Sequence, residues 1–173
     1  IMFNVSAQFV NFERMKLLSD RGSYTCLALK LTGQDIILKN LYIENFHEAL
    51  EIYGSFNVLE DCYIRNNSRV FKKITTSYST ANQFIRCIFH RNVNQTIEAS
   101  GGTYYIRGWT FRDCNFESNE ASINLQDNVY NLLFVGCWFE EISTNETYNL
   151  RTGGPYKMTK EITLDNCQFH GKG

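Results

Sequence analysis

Two glutamates, a set of aromatic side chains with nearby cations, and a row of cysteines are the residues whose types and spacing could do chemistry. Glu51 lies between Leu50 and Ile52, and Glu98 between Ile97 and Ala99, so each points outward if its segment is a strand. Hydrolysis of a glycosidic bond needs two carboxyl groups at a fixed separation. Placed two coils apart, the pair would stand about 10 Å from each other, near the inverting range of roughly 6.5–9.5 Å. The plainer reading is a solvated strand face with two ordinary glutamates.

Tyr42 and Tyr63 share an outward position, with Arg65 and His90 beside them. The segment 101–109 adds Tyr104, Tyr105, Arg107 and Trp109. Such rings stack on the faces of sugars, and the cations suit polar or acidic groups. The same residue types are enriched at subunit interfaces, so packing within an oligomer is the second reading. Asp61 and Asp113 occupy bend positions, where the backbone alone favours Asp. Glu117, Glu120, Glu140 and Glu141 fall at strand exits or in loops, where surface pairing with a neighbour such as His170 is expected. His90 and His170 share a frame but stand three coils apart, and His47 has only Glu48 beside it. No metal-ligand set and no cofactor is expected. Sequons at Asn4, Asn66, Asn94 and Asn145 are what chance gives in a chain this rich in Asn, Ser and Thr.

The elements that would position these groups are visible as a repeat. Keyed on Met15, Leu41, Cys62, Cys87, Cys114, Cys137 and Cys167, the spacings are 26, 21, 25, 27, 23 and 30 residues. Each unit has an apolar residue two after the key position (Leu17, Ile43, Ile64, Phe89, Phe116, Phe139, Phe169). Each has another three before it (Phe12, Leu38, Leu59, Phe84, Phe111, Phe134, Leu164). Alternation in each half predicts two short strands. The residue just before the key position is Asn, Asp or Gly in five of the seven units, types that tolerate a left-handed bend. A third strand precedes many units, as in Leu27–Leu31, Leu50–Ile52, Ile97–Ala99 and Ile123–Leu125. Variable spacing places the insertions in loops. A leucine-rich repeat is the rival solenoid, since Leu59, Cys62, Ile64 and Asn67 match its spacing, as do the units ending at Asn92 and Asn119. Those units lack the helical stretch that such a repeat needs.

The expected fold is therefore all-β, a parallel β-helix of about seven coils with three short strands each, occupying residues 1–173 as one domain. Equivalent residues stack from coil to coil, so Cys62, Cys87, Cys114, Cys137 and Cys167 form one core ladder. Side chains pointing the same way from adjacent coils suit the disulfide torsion poorly, and these cysteines are expected to be reduced. The net charge of −1 draws the chain neither to nucleic acid nor to an anionic membrane. No apolar run approaches the roughly 20 residues of a membrane span. The chain opens on Ile1 in repeat-like sequence, which suggests a piece of a longer protein.

The strand–bend–strand units, with Asp61-Cys62, Asp113-Cys114 and Asn166-Cys167 at the bend, resemble the right-handed parallel β-helix superfamily of pectate lyases, polygalacturonases and phage tailspikes. The polygalacturonase motifs and the clustered aspartates of pectate lyases are missing, so no catalytic residue carries over. What remains is most similar to a tailspike shaft. That resemblance implies a homotrimer in a virion tail, assembled in a host cytoplasm, that binds and in some cases depolymerises bacterial capsule or O-antigen. A secreted polysaccharide lyase or hydrolase, and a structural spike or adhesin without enzymatic activity, are the alternatives.

Overall fold

The computed structural model describes residues 1–20, 26–71, 78–93, 97–99, 106–119, 123–125, 129–141, 150–152 and 159–170. Every strand pair among them is parallel, and none of them is helical. Three faces result. Sheet I pairs Phe3–Val5, Leu27–Leu31, Glu48–Ile52 and Arg69–Phe71. Sheet II has nine strands, running from Asn11–Glu13 through Ile37–Lys39, Val58–Glu60, Gln83–Ile85, Thr110–Arg112 and Val129–Val135 to Thr159–Asp165, with Ser79–Thr80 and Ile106–Arg107 joining beside Val129. Sheet III has seven: Lys16–Leu18, Tyr42–Glu44, Tyr63–Arg65, Ile88–His90, Asn115–Asn119, Trp138–Glu141 and Gln168–His170. A separate three-stranded sheet pairs Ile97–Ala99, Ile123–Leu125 and Leu150–Thr152. The parallel β-helix expected from the repeat is the fold found. Sheet III keeps seven rungs, but the first face is continuous over only four strands, so complete three-sided turns number about four rather than seven.

The bend between sheets II and III is left-handed at every coil. Arg14, Asn40, Asp61, Arg86, Asp113, Gly136 and Asn166 have φ between 49° and 63°. Each of the first six donates its amide to a carbonyl one coil on, as Asp61 does to Ile85 at 3.0 Å and Arg86 to Arg112 at 2.9 Å. Two further left-handed columns complete the triangle. One comprises Phe9, Asp35, Phe56, Ala81, Gly108, Asn131 and Glu161; the other Asn45, Asn66, Arg91 and Ser118. A left-handed residue turns the chain sharply without breaking the ladders on either side, which is why three columns make three flat faces.

Stacked side chains fill the interior. Phe84, Phe111 and Phe134 stack with centroids 4.6 and 4.9 Å apart. Phe89, Phe116, Phe139 and Phe169 stack at 4.9, 4.8 and 4.7 Å. The cysteine ladder lies between these columns. Its members are free thiols, buried at Cys62, Cys87, Cys114 and Cys137 and half-buried at Cys167. Each S–H donates to a carbonyl of the preceding coil, as Cys87 does to Leu59 and Cys114 to Phe84, both at 3.4 Å. Thiol contacts along the ladder and burial push the acidity of Cys62 and Cys87 well below the ordinary thiol level, and burial is the larger cause at Cys114.

Two buried asparagine ladders sit at the corners. Asn67 accepts from the Phe46 amide at 2.9 Å, Asn92 from the Asn67 amide at 3.1 Å, and Asn119 from the Asn92 amide at 2.9 Å. The side-chain amides of Asn67, Asn92 and Asn119 donate back to the carbonyls of Ile43, Ile64 and Phe89. The spacing shared with leucine-rich repeats thus belongs to a corner ladder. Asn57 and Asn82 form the second ladder, accepting from the amides of Ile36 and Asn57 at 3.0 and 2.9 Å. Beside it Gly54 leaves no room for a side chain: a Cβ there would lie 1.6 Å from the Gly33 carbonyl oxygen.

Candidate functional site

Of the expected carboxylate pair, only Glu51 has a described side chain. Glu51 points outward from sheet I, yet it is only 1% exposed, because the outer face of this sheet is covered: Ala28, Ala49 and Val70 beside it are also fully buried. Its carboxylate accepts a hydrogen bond from Tyr53 and lies 3.5 Å from the Lys30 ammonium. Glu98 lies on the strand Ile97–Ala99, which contacts Arg69–Phe71 at the end of sheet I; it is the register partner of Asn124, and its side chain lies outside the described residues. The solvated glutamate expected at position 51 is therefore corrected to a buried carboxylate paired with Lys30.

The aromatic set divides as well. Trp109, expected at the surface, is 1% exposed. It occupies the column of Asn57 and Asn82, and its indole N–H donates to the Ser79 carbonyl at 3.2 Å, much as the Asn82 amide donates to Gly54. Arg107 is exposed but stands on sheet II, in register with Thr80 and Tyr130. Tyr104 and Tyr105 lie outside the described residues. Tyr42, Tyr63 and Arg65 do share one surface, the outer face of sheet III.

That face is built by alternation. The second residue of each sheet III strand points inward, so the residues on either side of it point out. Register then lines up two outward columns. One reads Lys16, Tyr42, Tyr63, Ile88, Asn115, Trp138 and Gln168. The other reads Leu18, Glu44, Arg65, His90, Glu117, Glu140 and His170. The rings of Tyr42 and Tyr63 meet edge to face at 5.6 Å, and Tyr63 stacks near His90 with its hydroxyl 3.0 Å from Nδ1. Trp138 stacks on His170 at 4.0 Å, and its indole N–H donates to Glu140 at 3.3 Å. Sequence reasoning missed Trp138 and His170 as a pair and assigned Glu117 and Glu140 only a surface role. Their common offset from the key cysteine was the available signal.

Electrostatics on this face are mostly local. Glu44 accepts hydrogen bonds from Tyr42 and Asn66, both at 2.8 Å, and pairs with Arg65 at 3.2 Å. Burial, then the bond to Glu44, raises the Tyr42 phenol above its ordinary value. Burial holds His90 below the usual imidazole value, against the opposing pull of Glu117. The neighbouring bend carries a separate network in which Arg86 meets Glu60 at 2.6 Å and Asp61 at 2.7 Å, while Lys39 meets Glu60 at 2.6 Å. Those contacts lower the Glu60 and Asp61 carboxyls and tie them to structure. Among the described residues no cluster of His, Cys, Asp and Glu could hold a metal ion.

Chemically, the outer face of sheet III offers rings whose electron-rich faces attract the C–H groups of a sugar. It also offers carboxylates that accept from hydroxyl groups and imidazoles that donate or accept. Glu117 and Glu140 are register partners on adjacent coils. Adjacent parallel strands lie about 4.8 Å apart, close to the roughly 5–5.5 Å between the carboxyl groups of retaining glycosidases.

No curated protein and no solved structure matches the chain. A family model described as a right-handed β-helix region matches residues 26–139. That span holds the cysteine ladder as far as Cys137, the asparagine ladders and most of the aromatic face, and the chain belongs to the right-handed β-helix family.

Proposed function

We propose that this β-helix binds bacterial surface polysaccharide along the outer face of sheet III, as part of a phage tailspike-type protein that recognises its host. The observation that supports this is the pair of outward columns. Aromatic rings at Tyr42, Tyr63 and Trp138 run parallel to polar groups at Glu44, Arg65, His90, Glu117, Glu140 and His170. A flat face repeating along the coil axis fits an extended polymer that repeats along its own length. The β-helix fold is compatible with binding or with cleavage of such a polymer. On this reading the working assembly is a homotrimer in a virion tail, with capsule or O-antigen as its partner. Exposed Phe9, Phe56 and Ile37 on the sheet II side suit a face that packs against another subunit.

Cleavage is a second reading, favoured by the register pairing of Glu117 with Glu140. One experiment addresses both. Capsular and lipopolysaccharide preparations are screened by affinity electrophoresis and for new reducing ends, with Tyr63→Ala, Trp138→Ala and the sheet II control Arg107→Ala. The expected result is retarded migration with at least one preparation, weakened tenfold or more by the Tyr63 and Trp138 changes and untouched by the Arg107 change. New reducing ends that vanish in Glu117→Gln add hydrolysis; unsaturated products indicate a lyase. Binding unaffected by both ring deletions contradicts the site.

A further inference from the structure

The charges on the outer face of sheet III are not evenly free, and this bears on which glycan the face takes; the argument rests on the binding reading above. In the first four coils the cations are largely engaged. Arg65 pairs with Glu44, Arg86 with Glu60 and Asp61, and Arg14 with Glu13 at 3.4 Å. Lys16 lies 5.1 Å over the Tyr42 ring at one end, and Arg91 sits on the exposed corner beside His90. The later coils differ. Asp113 at the corner and Glu117 and Glu140 on the face are acidic; Arg86 stands one rung from Asp113 but is tied to Glu60 and Asp61, Arg91 at the other corner gives only its backbone amide to the Glu117 carbonyl at 3.1 Å, and the outward columns hold no Lys or Arg on these coils among the described residues. None of these three carboxylates makes an ion pair among the described residues, and the one hydrogen bond to the face pair is the Trp138 indole on Glu140.

Two carboxylates on neighbouring rungs, flanked by a stacked Trp138–His170 platform, make a surface with acceptors and a ring, and no cation among the described residues pairs with the two carboxylates. Ionised carboxylates accept hydrogen bonds and donate none, so they complement hydroxyl groups and repel another anion. Burial keeps His90, the nearest imidazole on the other side, from serving as a standing cation at neutral pH. We infer that the glycan segment crossing the coils of Glu117, Trp138 and Glu140 is neutral and hydroxyl-rich, carrying no carboxylate, sulfate or phosphate there.

The test starts from the same screen, with neutral and acidic polysaccharides represented equally. The tightest-binding preparation is then oxidised at its primary hydroxyls to uronates, and both forms are titrated against the wild-type chain and Glu117→Gln/Glu140→Gln. Circular dichroism checks that the double variant keeps the β-sheet signal. The expected result is a neutral best ligand whose oxidised form binds at least tenfold more weakly to wild type. The double variant should recover most of that loss. A best ligand that is already polyanionic and depends on Tyr63 overturns this inference and leaves the binding reading standing. Equal binding of native and oxidised forms overturns it in the same way. No binding to any preparation overturns the binding reading, and this inference with it.

Discussion

At the scale of single residues, the cysteine ladder gives the sharpest expectation. Cys62, Cys87 and Cys114 hold their protons in the native core far more tightly than in the unfolded chain, whose thiols ionise near 9.0. Below that pH the ladder's contribution is complete. Above it the unfolded chain releases protons that the native chain retains, so stability falls as pH rises, by about 1.4 kcal/mol per pH unit for each such thiol. Urea denaturation between pH 7 and 10.5 measures this, and Cys87→Ala should show a shallower alkaline decline than wild type. Equal slopes would mean that the ladder does not hold its protons. Cysteine burial was legible in the sequence, because five cysteines share one frame with apolar partners. The fates of Glu51 and Trp109 were not. Alternation says that Glu51 points out of its sheet, and it does, but alternation does not say whether that outer face is buried. Trp109 reads as an exposed ring near other aromatics, whereas its indole N–H substitutes for an asparagine amide in a corner ladder.

Corners and rungs are the scale at which the chain commits to its shape. Asn92 accepts the Asn67 amide and donates to the Ile64 carbonyl and to Asn119, all within the buried corner. Removing that side chain strands at least two buried polar groups, each worth about 1–3 kcal/mol. Asn92→Ala should therefore lower unfolding free energy by about 3 kcal/mol in chemical denaturation; a loss below about 1 kcal/mol would show that water replaces the ladder without penalty. Phe56 makes the opposite case. It holds a left-handed φ of 59° with its ring 56% exposed. A residue of this kind sits there at a disadvantage of roughly 1–2 kcal/mol. Phe56→Asn should raise the stability of the isolated chain by about 1 kcal/mol in the same assay, and a loss would mean that the ring makes contacts outweighing the strain. The bend before each key residue was readable from Asn40, Asp61, Asp113, Gly136 and Asn166. The column holding Phe9, Phe56 and Glu161 was not, since those residues carry no turn preference and are turned by the coils on either side. The asparagine spacing was visible, but it fits two solenoids, and only the burial and bonding of Asn67, Asn92 and Asn119 assign it to a β-helix corner.

Across the whole molecule, the three faces differ in what they can meet. Sheet I has a buried outer face, sheet II carries a charge network with exposed Phe9, Ile37 and Phe56 at its edge, and sheet III presents two outward columns over seven rungs, with rings at Tyr42, Tyr63 and Trp138. Parallel stacking makes such a face possible: one outward position repeated through the sequence becomes one line on the surface. The first half of that line, Tyr42 and Tyr63 with Arg65 and His90, could be read from spacing alone. Its second half, Glu117, Trp138, Glu140 and His170, keeps the same offsets from the key cysteines, but the stacking of Trp138 on His170 and the direct pairing of Glu117 with Glu140 needed the register. Oxidative footprinting with hydroxyl radicals, read by mass spectrometry with and without a saturating polysaccharide from the binding screen, tests the assignment of this face most directly. The account predicts that Tyr42, Tyr63 and Trp138 become protected together, while Phe9 and Phe56 on the other edge stay as reactive as before. Protection of Phe9 and Phe56 with the three sheet III rings unchanged would place the polysaccharide on the wrong side of the solenoid and contradict it.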